Sequence, residues 1–316
     1  MKVFHSPDQV PADFGPSVVT IGNFDGVHAG HQEIMRRVVS VARERGLTST
    51  VLTFDPHPAR VLAPERAPKL INTVSQRLRR LAEKGIEAAL LLPFSLGFAA
   101  LSPEEFVQRI LVDTLKARCL LVGEDFRFGY RQAGNISTLR ELGERFGFEL
   151  QPVPAIAGKG ERISSTRIRG LIGEGRVSHA CRMMGTPFAL EGKVVSGQGI
   201  GSKKTVPTLN LAPENELLPK TGVYVTRTRD EDSGERWRSI TNVGYRPTFD
   251  GEGLTVETFL LDPPPDRTPD RIEVAFLTFV RPERRFDTPE LLKAQILRDV
   301  GAAQRFHRRV EQLRMG

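Results

Sequence analysis

Two histidines lie three residues apart, directly after a β-branched run, in a chain that has only six histidines. His28 and His31 follow a segment in which Gly22 and Gly26 let the backbone turn sharply and approach a ligand closely. A helix that begins near His31 exposes free amide N–H groups and the positive end of its dipole, which suits phosphate. The imidazoles can donate hydrogen bonds to phosphate oxygens from there. The spacing therefore indicates a phosphate-binding site at a strand-to-helix turn.

Two other interpretations of this pair stay open on spacing alone. The histidines could form half of a zinc site, although no nearby set of Cys, His or Asp residues completes the ligands. They could also be two ordinary surface histidines.

The elements that position these residues alternate between strands and helices in the first half of the chain. Strands are predicted at 18–21, 50–54, 88–94, 119–122 and 149–153. Helices are predicted at 31–45, 75–84, 103–115 and 137–146, and two shorter ones follow residue 163 and run to about residue 184. Near-continuous apolar strands alternating with helices predict a doubly wound, parallel α/β sheet, which binds ligands at the carboxyl ends of its strands.

The pattern changes near Gly185-Thr186-Pro187, so we predict one domain at 1–184 and a second at 185–316. Short alternating segments broken by Gly, Pro and Asp predict a small antiparallel β-barrel. Its strands are predicted at 188–196, 208–211, 223–229, 237–243, 255–261 and 272–279. An amphipathic C-terminal helix is predicted at 289–314, with an apolar face formed by Leu291, Leu292, Ile296 and Val300.

The composition is that of a globular protein, with 39% hydrophobic and 26% charged residues. No apolar run is long enough to span a bilayer, and the N-terminus does not resemble a secretory signal. Cys119 and Cys181 lie far apart, so we predict free thiols and a cytoplasmic location. The net charge of +7 is spread along the chain, which favours small polyanions such as ATP over nucleic acid as partners. An oligomer is possible, but no pattern indicates one.

Eight segments, in order, carry a resemblance to a known family. They are GNFDGVHAGH (22–31), TFDPHP (53–58), VGEDFRFG (122–129), ISSTRIR (163–169), PTLN (207–210), NVGYRPTF (242–249), VETFLLD (256–262) and RPERRF (281–286). Together they resemble the bacterial bifunctional riboflavin kinase/FAD synthetases, whose first module is a histidine-motif nucleotidyltransferase. The resemblance implies that riboflavin and ATP give FMN, and that FMN and ATP give FAD and pyrophosphate, with Mg²⁺ as cofactor.

The resemblance also implies roles for residues of the first domain. Contacts to ATP phosphates are implied for Asn23, His28, His31, Ser164, Ser165, Thr166 and Arg169, beside Gly22 and Gly26 of the turn. The Ser-Ser-Thr run could equally be a helix N-cap, and the two roles are compatible. Asp25 either caps the turn or takes part in binding. The flavin side is assigned to Asp55, His57, Asp125 and Phe126, although either Phe126 or Phe128 is expected to pack in the core.

In the second domain the resemblance implies that Glu257 is the base that takes the proton of the riboflavin 5′-hydroxyl. An outward-facing strand glutamate is the alternative, and Phe259 stands where the family often has His. Thr208 and Asn210 project from one strand face and offer oxygen ligands to Mg²⁺. Both could instead only hydrogen-bond to backbone. Arg281 and Glu283 resemble the flavin-facing segment of the kinase.

The nucleotide loop departs from the family pattern G-R-x-L-G-F-P-T-x-N. After Gly201 this chain has serine in place of arginine, and Lys203 and Lys204 follow. Lysine can still neutralise phosphate, but as a point charge without a bidentate fork. Two hypotheses compete with a bifunctional enzyme. The first is a nucleotidyltransferase with an altered barrel, and the second is a non-catalytic flavin- or RNA-binding regulator.

Overall fold

The computed structural model describes residues 1–154, 157–158, 161–195, 208–248, 251–262 and 267–315. Its contacts divide the chain into two compact units. The sheet unit consists of Met1–Lys69 and Val74–Ser165, and the barrel unit consists of Leu70–Thr73 and Thr166–Gly316.

Six parallel strands form the centre of the sheet unit. They are β1 (Lys2–Phe4), β2 (Ser17–Ile21), β3 (Thr48–Phe54), β4 (Ala88–Leu92), β5 (Ala117–Gly123) and β6 (Glu149–Val153). Their order is β1-β4-β3-β2-β5-β6, and every neighbouring pair is parallel. The chain runs outward from β2 through β3 to β4 and then crosses back to β5. The order therefore reverses beside the carboxyl end of β2, the place where open α/β sheets bind ligands.

Helices join these strands, and the predicted doubly wound sheet is confirmed. They are α1 (Ala29–Arg45), α2 (Pro58–Leu62), α3 (Val74–Glu83), α4 (Leu96–Ala99), α5 (Pro103–Phe106), which continues as a π-helix (Val107–Thr114), and α6 (Ile136–Phe146). Short 3-10 helices lie at Pro7–Gln9, Pro64–Arg66 and Tyr130–Gln132, and a two-residue hairpin pairs β7 (Ala157–Gly158) with β8 (Glu161–Arg162). The side chains of Ser102 and Glu105 form a capping box at the start of α5.

Both faces of the sheet are covered. Alternate residues of β2 and β5 belong to two different apolar clusters, with Val19 and Leu120 in one and Val18 and Leu121 in the other. Burial on both faces is the reason that these strands are continuously apolar in sequence.

A closed antiparallel barrel forms most of the second unit, as predicted. Its strands are β9 (Phe188–Val195), β10 (Thr208–Pro213), β11 (Gly222–Asp230), β12 (Arg236–Thr248), β13 (Gly251–Leu260) and β14 (Arg271–Arg281). They follow one another in the order β10-β13-β12-β11-β14-β9, and β9 pairs with β10 to close the barrel. Hydroxyl groups of Thr226, Ser239, Thr241 and Thr258 are buried and bond to one another at 2.8–2.9 Å. They satisfy each other in a site closed to water.

Residues before the barrel strands also belong to its core. The helices α7 (Ser165–Gly173) and α8 (Val177–Met184) contribute Ile168, Leu171 and Val177 to the buried cluster of the barrel unit. The segment Leu70–Thr73 contributes Ile71, which is fully buried in the same cluster. The compact units thus divide between residues 165 and 166, and the domain boundary at 184/185 stays a prediction.

Replacing Ile71 with Ala is expected to destabilise the barrel unit by about 2–5 kcal/mol, because a buried side chain leaves a cavity. The sheet unit, which precedes and follows Ile71 in sequence, should be unaffected. Hydrogen exchange of β11 and β14, compared with β2 and β5, measures both effects. Val38→Ala, in the core of the sheet unit, is the matched control that should affect only β2 and β5. Unchanged protection of the barrel strands in the Ile71 variant would contradict the assignment.

The C-terminal helix α9 (Pro289–Met315) buries a different face from the predicted one. Leu291, Leu292 and Ile296 are 53%, 43% and 43% exposed, so the predicted apolar face is wrong except for Val300, which packs on the barrel. The buried positions of the helix are Gln295, Asp299, Ala303 and His307. Three of these four residues are polar, and each of the three bonds to a partner, which makes their burial tolerable.

Candidate functional site

The loop between β2 and α1 is held in an unusual backbone conformation. Phe24, Gly26 and Val27 have positive φ angles of 49°, 80° and 40°. The left-handed region is unfavourable for a β-branched residue such as Val27. Both Phe24 and Val27 are 1% exposed, so burial of their side chains holds the turn in place. Backbone strain of this kind is found where a loop must present groups to a ligand.

Glycine leaves room for the His28 ring within the first turn of α1. A Cβ on Gly30 would lie 3.2 Å from Cε1 and Nδ1 of His28. The imidazole of His28 therefore folds back over the start of the helix, and a side chain at position 30 would have to displace it by a few tenths of an ångström.

The two histidines form one stacked unit at the N-terminus of α1. Their ring centroids are 3.6 Å apart at an interplanar angle of 16°. His28 is the N-cap residue, and its Nδ1 accepts a hydrogen bond from the backbone N–H of His31 at 3.4 Å. Because Nδ1 is an acceptor, the neutral ring of His28 carries its hydrogen on Nε2. Nδ1 of His31 is buried and has no hydrogen-bond partner within the part of the chain that the structure describes.

Burial keeps both rings neutral. It lowers the pKa of His28 to about 4, and a backbone hydrogen bond opposes part of that shift. The pKa of His31 lies well below its usual range because of burial and, second, the charge that His28 would carry. At neutral pH the pair therefore offers N–H donors without positive charge.

The unfolding free energy of the sheet unit should fall as the pH drops from about 6.5 to about 4. Over that range the unfolded chain binds a proton at His28 that the folded protein does not bind, so stability rises with pH. A shift of this size corresponds to roughly 3 kcal/mol. His28→Asn keeps an N-cap residue but removes the titration. Hydrogen exchange of β2 at pH 7 and pH 4.5 should show a smaller loss in the variant; equal losses would mean that His28 is not neutral in the fold.

Arg77 was missed by sequence reasoning although it contacts the same loop. It is 4% exposed and donates from Nη1 to the carbonyl oxygen of Asn23 at 3.0 Å and from Nη2 to that of Phe54 at 2.9 Å. Burial lowers its pKa, and the charges of Asp55 and Asp25 oppose the shift. The available signal was its position on the apolar stripe of α3, four residues before Leu81.

The Ser-Ser-Thr segment (164–166) contacts the loop between β2 and α1 through one hydroxyl group. Ser165 Oγ donates to the backbone carbonyl oxygen of Asp25 at 2.9 Å, and Asp25 is 3% exposed. Ser164, directly before it, is half-buried. Thr166 and Arg169 lie on the part of α7 that belongs to the barrel unit.

The residues predicted on the flavin side follow β3 and β5 at the same edge of the sheet. Asp55 is exposed, and His57 caps α2 by accepting the Ala59 N–H at Nδ1, 3.1 Å away. Asp125 is exposed. Phe126 is half-buried and stacks on the buried Phe128, which packs in the core as expected for one of the two rings.

In the barrel unit the strand register pairs Glu257 with an asparagine on each neighbouring strand. Asn210 of β10 and Asn242 of β12 are its direct partners on either side, and Thr208 is opposite Phe259. Glu257 is half-buried and alternates with Val256 and Thr258, which are buried, so these polar residues share the outer face of the barrel.

The segment after β14 is fixed to α9. Arg281 donates from Nε and Nη2 to Asp299 at 3.0 and 2.7 Å, in a largely buried ion pair. The carboxylate of Glu283 lies against Gly244, where a Cβ would collide with it. Gly201, Lys203 and Lys204 lie outside the described residues.

A parallel α/β sheet unit followed by a closed antiparallel barrel unit is an architecture compatible with a two-domain transferase. Residues 10–167 match the family model of FAD synthetase, and residues 184–307 match that of riboflavin kinase. The chain belongs to the family of bifunctional riboflavin kinase/FMN adenylyltransferases. It is an enzyme that phosphorylates riboflavin to FMN with ATP and adenylylates FMN to FAD with release of pyrophosphate.

Relatives match over nearly the whole length. The bifunctional riboflavin kinase/FMN adenylyltransferase of Escherichia coli K12 is 35% identical over 307 residues, 97% of each chain. That of Pseudomonas fluorescens is 37% identical over 288 residues, 91% of this chain and 92% of the relative. A crystal structure described as a macrolide-efflux protein from Streptococcus pneumoniae has a TM-score of 0.85 and 30% identity, covering 96% of this chain and 98% of its own. In the described part of this chain, every helix is too short or too polar to cross a membrane.

Proposed function

We propose that the sheet unit adenylylates FMN and that the barrel unit phosphorylates riboflavin, with the domains meeting at residues 184/185. The observation that carries the proposal is the stacked pair of neutral histidines at the start of α1, beside the reversal of strand order. Such a helix start offers N–H groups, from backbone and from imidazole, to a polyanion.

Adenylyl transfer needs alignment more than proton transfer. The phosphate of FMN attacks the α-phosphorus of ATP, the bond from that phosphorus to the pyrophosphate oxygen breaks, and the nucleophile is already ionised. His28 and His31 donate to phosphate oxygens, beside Asn23 and the turn glycines Gly22 and Gly26. Backbone strain and burial hold these donors before ATP arrives, so little reorganisation is required in the transition state.

The remaining contacts of this site are assigned by the family motifs that their residues match. Ser164, Ser165, Thr166 and Arg169 supply further donors to the phosphates, and Asp25 fixes the turn through its backbone contact with Ser165. Asp55, His57, Asp125 and Phe126 face the flavin, from the loops that follow β3 and β5.

Phosphorylation of riboflavin needs a base, because the 5′-hydroxyl is neutral. Glu257 takes that proton as the oxygen attacks the γ-phosphorus of ATP and ADP leaves. Asn210 and Asn242, its register partners on the neighbouring strands, share the face of the barrel from which the carboxylate projects. Arg281 and Glu283 contact the flavin, and Lys203 and Lys204 contact the phosphates of ATP.

The chemistry of Thr208 and Asn210 fits Mg²⁺, since a hydroxyl and an amide oxygen on one strand face are hard ligands beside a carboxylate. When bound, Mg²⁺ would neutralise charge on the phosphates of ATP. A cytoplasmic location without a nucleic-acid partner also stays a proposal. The free, buried thiol of Cys119 supports the location, and the spread of the +7 net charge along the chain favours small polyanions as partners.

One incubation tests the proposal. The full chain is mixed with riboflavin and ATP, with and without Mg²⁺, and riboflavin, FMN, FAD, ADP and pyrophosphate are separated by chromatography. We expect FMN to rise first and FAD to follow, each only with Mg²⁺. FAD formation from added FMN without phosphorylation of riboflavin would mean an altered barrel. If neither FMN nor FAD formed, both assignments would be contradicted.

A further inference from the structure

The guanidinium of Arg77 connects two loops through their backbones. The carbonyl of Asn23 belongs to the loop between β2 and α1, and the carbonyl of Phe54 ends β3, directly before Asp55. A buried charge is costly unless the fold uses it. Both of its hydrogen bonds go to backbone oxygens, so the side chain holds main chain in place, while the charges of Asp55 and Asp25 act on it without a hydrogen bond.

The Asn23 carbonyl is the more constrained of the two. It accepts a second hydrogen bond from Thr53 Oγ1 at 3.3 Å, and it immediately precedes Phe24, whose φ is positive. Two donors on one oxygen fix the peptide at which the strained turn begins. A shift of this peptide would move His28, because only four residues separate Asn23 from that N-cap residue.

We propose that Arg77 is a positioning residue for adenylyl transfer, which holds the loop that binds the ATP phosphates at a fixed distance from the loop that faces FMN. The inference rests on the proposed function of the sheet unit. The reacting oxygen and the α-phosphorus must approach within about 3–3.5 Å in line, and a misplacement of about 1 Å can cost 10²-fold in rate. In this role Arg77 acts through the two backbone carbonyls and not through a contact with substrate.

Arg77→Met and Arg77→Lys in the full chain test this role. We expect Arg77→Met to lower kcat for FAD formation from FMN by about 10²-fold, with a much smaller change in the KM for ATP. Riboflavin phosphorylation by the same preparation should be unchanged. Arg77→Lys, which can reach one carbonyl but not both, should retain an intermediate kcat. Arg43→Met, an exposed arginine of α1, is the charge-matched control and should behave as wild type.

Two further measurements separate positioning from general stability. Guanidinium added to Arg77→Ala should restore part of kcat if the missing contacts are the cause. Thr53→Val should lower kcat in the same direction by a smaller factor, and its effect should not add independently to that of Arg77→Met. An unchanged kcat of the folded Arg77→Met protein would overturn the inference. So would a failure of guanidinium to rescue Arg77→Ala together with independent, additive effects of Thr53→Val and Arg77→Met. If His28→Ala/His31→Ala also leaves FAD formation intact, it is the proposed function of the sheet unit that fails.

Discussion

Replacing His28 and His31 together with Ala is expected to lower FAD formation by about 10³-fold or more, while FMN made from riboflavin accumulates. The loss of a single preorganised donor typically costs 10²–10³-fold in kcat, and these two rings form one stacked unit. Because the pair is neutral in the fold, the variant removes donors and not charge. The effect should therefore appear in kcat and change little with ionic strength.

The measurement follows both products in one reaction, so that kinase activity reports on the integrity of the preparation. His5→Ala, which removes an exposed histidine of the same unit, is the matched control. His28→Asn, which keeps the helix cap, distinguishes loss of the donor from loss of the fold. FAD formation at the wild-type rate in the double variant would end the assignment of this loop to ATP.

Most strands and helices could be predicted because local pattern and burial agree. Strands covered on both faces, such as β2 and β4, are continuously apolar, and barrel strands alternate because one face is buried. The three-residue strand β1 was not predicted, since its position at the sheet edge depends on pairing with β4 and not on its own composition.

Long-range partners explain what sequence reasoning missed. The polar positions of α9 are buried because Asp299 meets Arg281 and His307 meets the carbonyl of Thr226, and neither partner is near in sequence. The segment Leu70–Thr73 belongs to the barrel unit although it lies between two elements of the sheet unit. Contacts of this kind have no local pattern.

The candidate sites also combine features that a local pattern predicts with features that depend on long-range contacts. The loop that carries His28 was identified from glycines and histidine spacing, but the neutrality of the rings follows from burial, which the spacing does not encode. Arg77 lies in another helix, and its partners are backbone atoms, so side-chain types alone do not reveal the contact.

Changing Glu257 to Gln is expected to remove most of the kinase activity and leave adenylylation of FMN intact. Gln has nearly the same shape and can keep the contacts of the strand with Asn210 and Asn242, but it cannot accept the proton of the riboflavin hydroxyl. Loss of a general base typically lowers the rate by about 10²–10⁴-fold. The reduction should appear in kcat at saturating riboflavin and ATP, because the substrate contacts remain.

The competing interpretation makes Glu257 an ordinary polar residue on the outer face of a strand, and it predicts a different result. A surface substitution changes stability by less than about 0.5 kcal/mol and leaves kcat near the wild-type value. Asp232→Asn, in the exposed turn between β11 and β12, removes the same charge from the barrel unit and should retain full activity. If Glu257→Gln kept more than about half of the wild-type kinase rate, the base would have to be sought elsewhere. If Glu257→Gln lost most of the kinase rate and Asp232→Asn kept it, the loss would be specific to the carboxylate of Glu257. The register of three strands places that residue between Asn210 and Asn242.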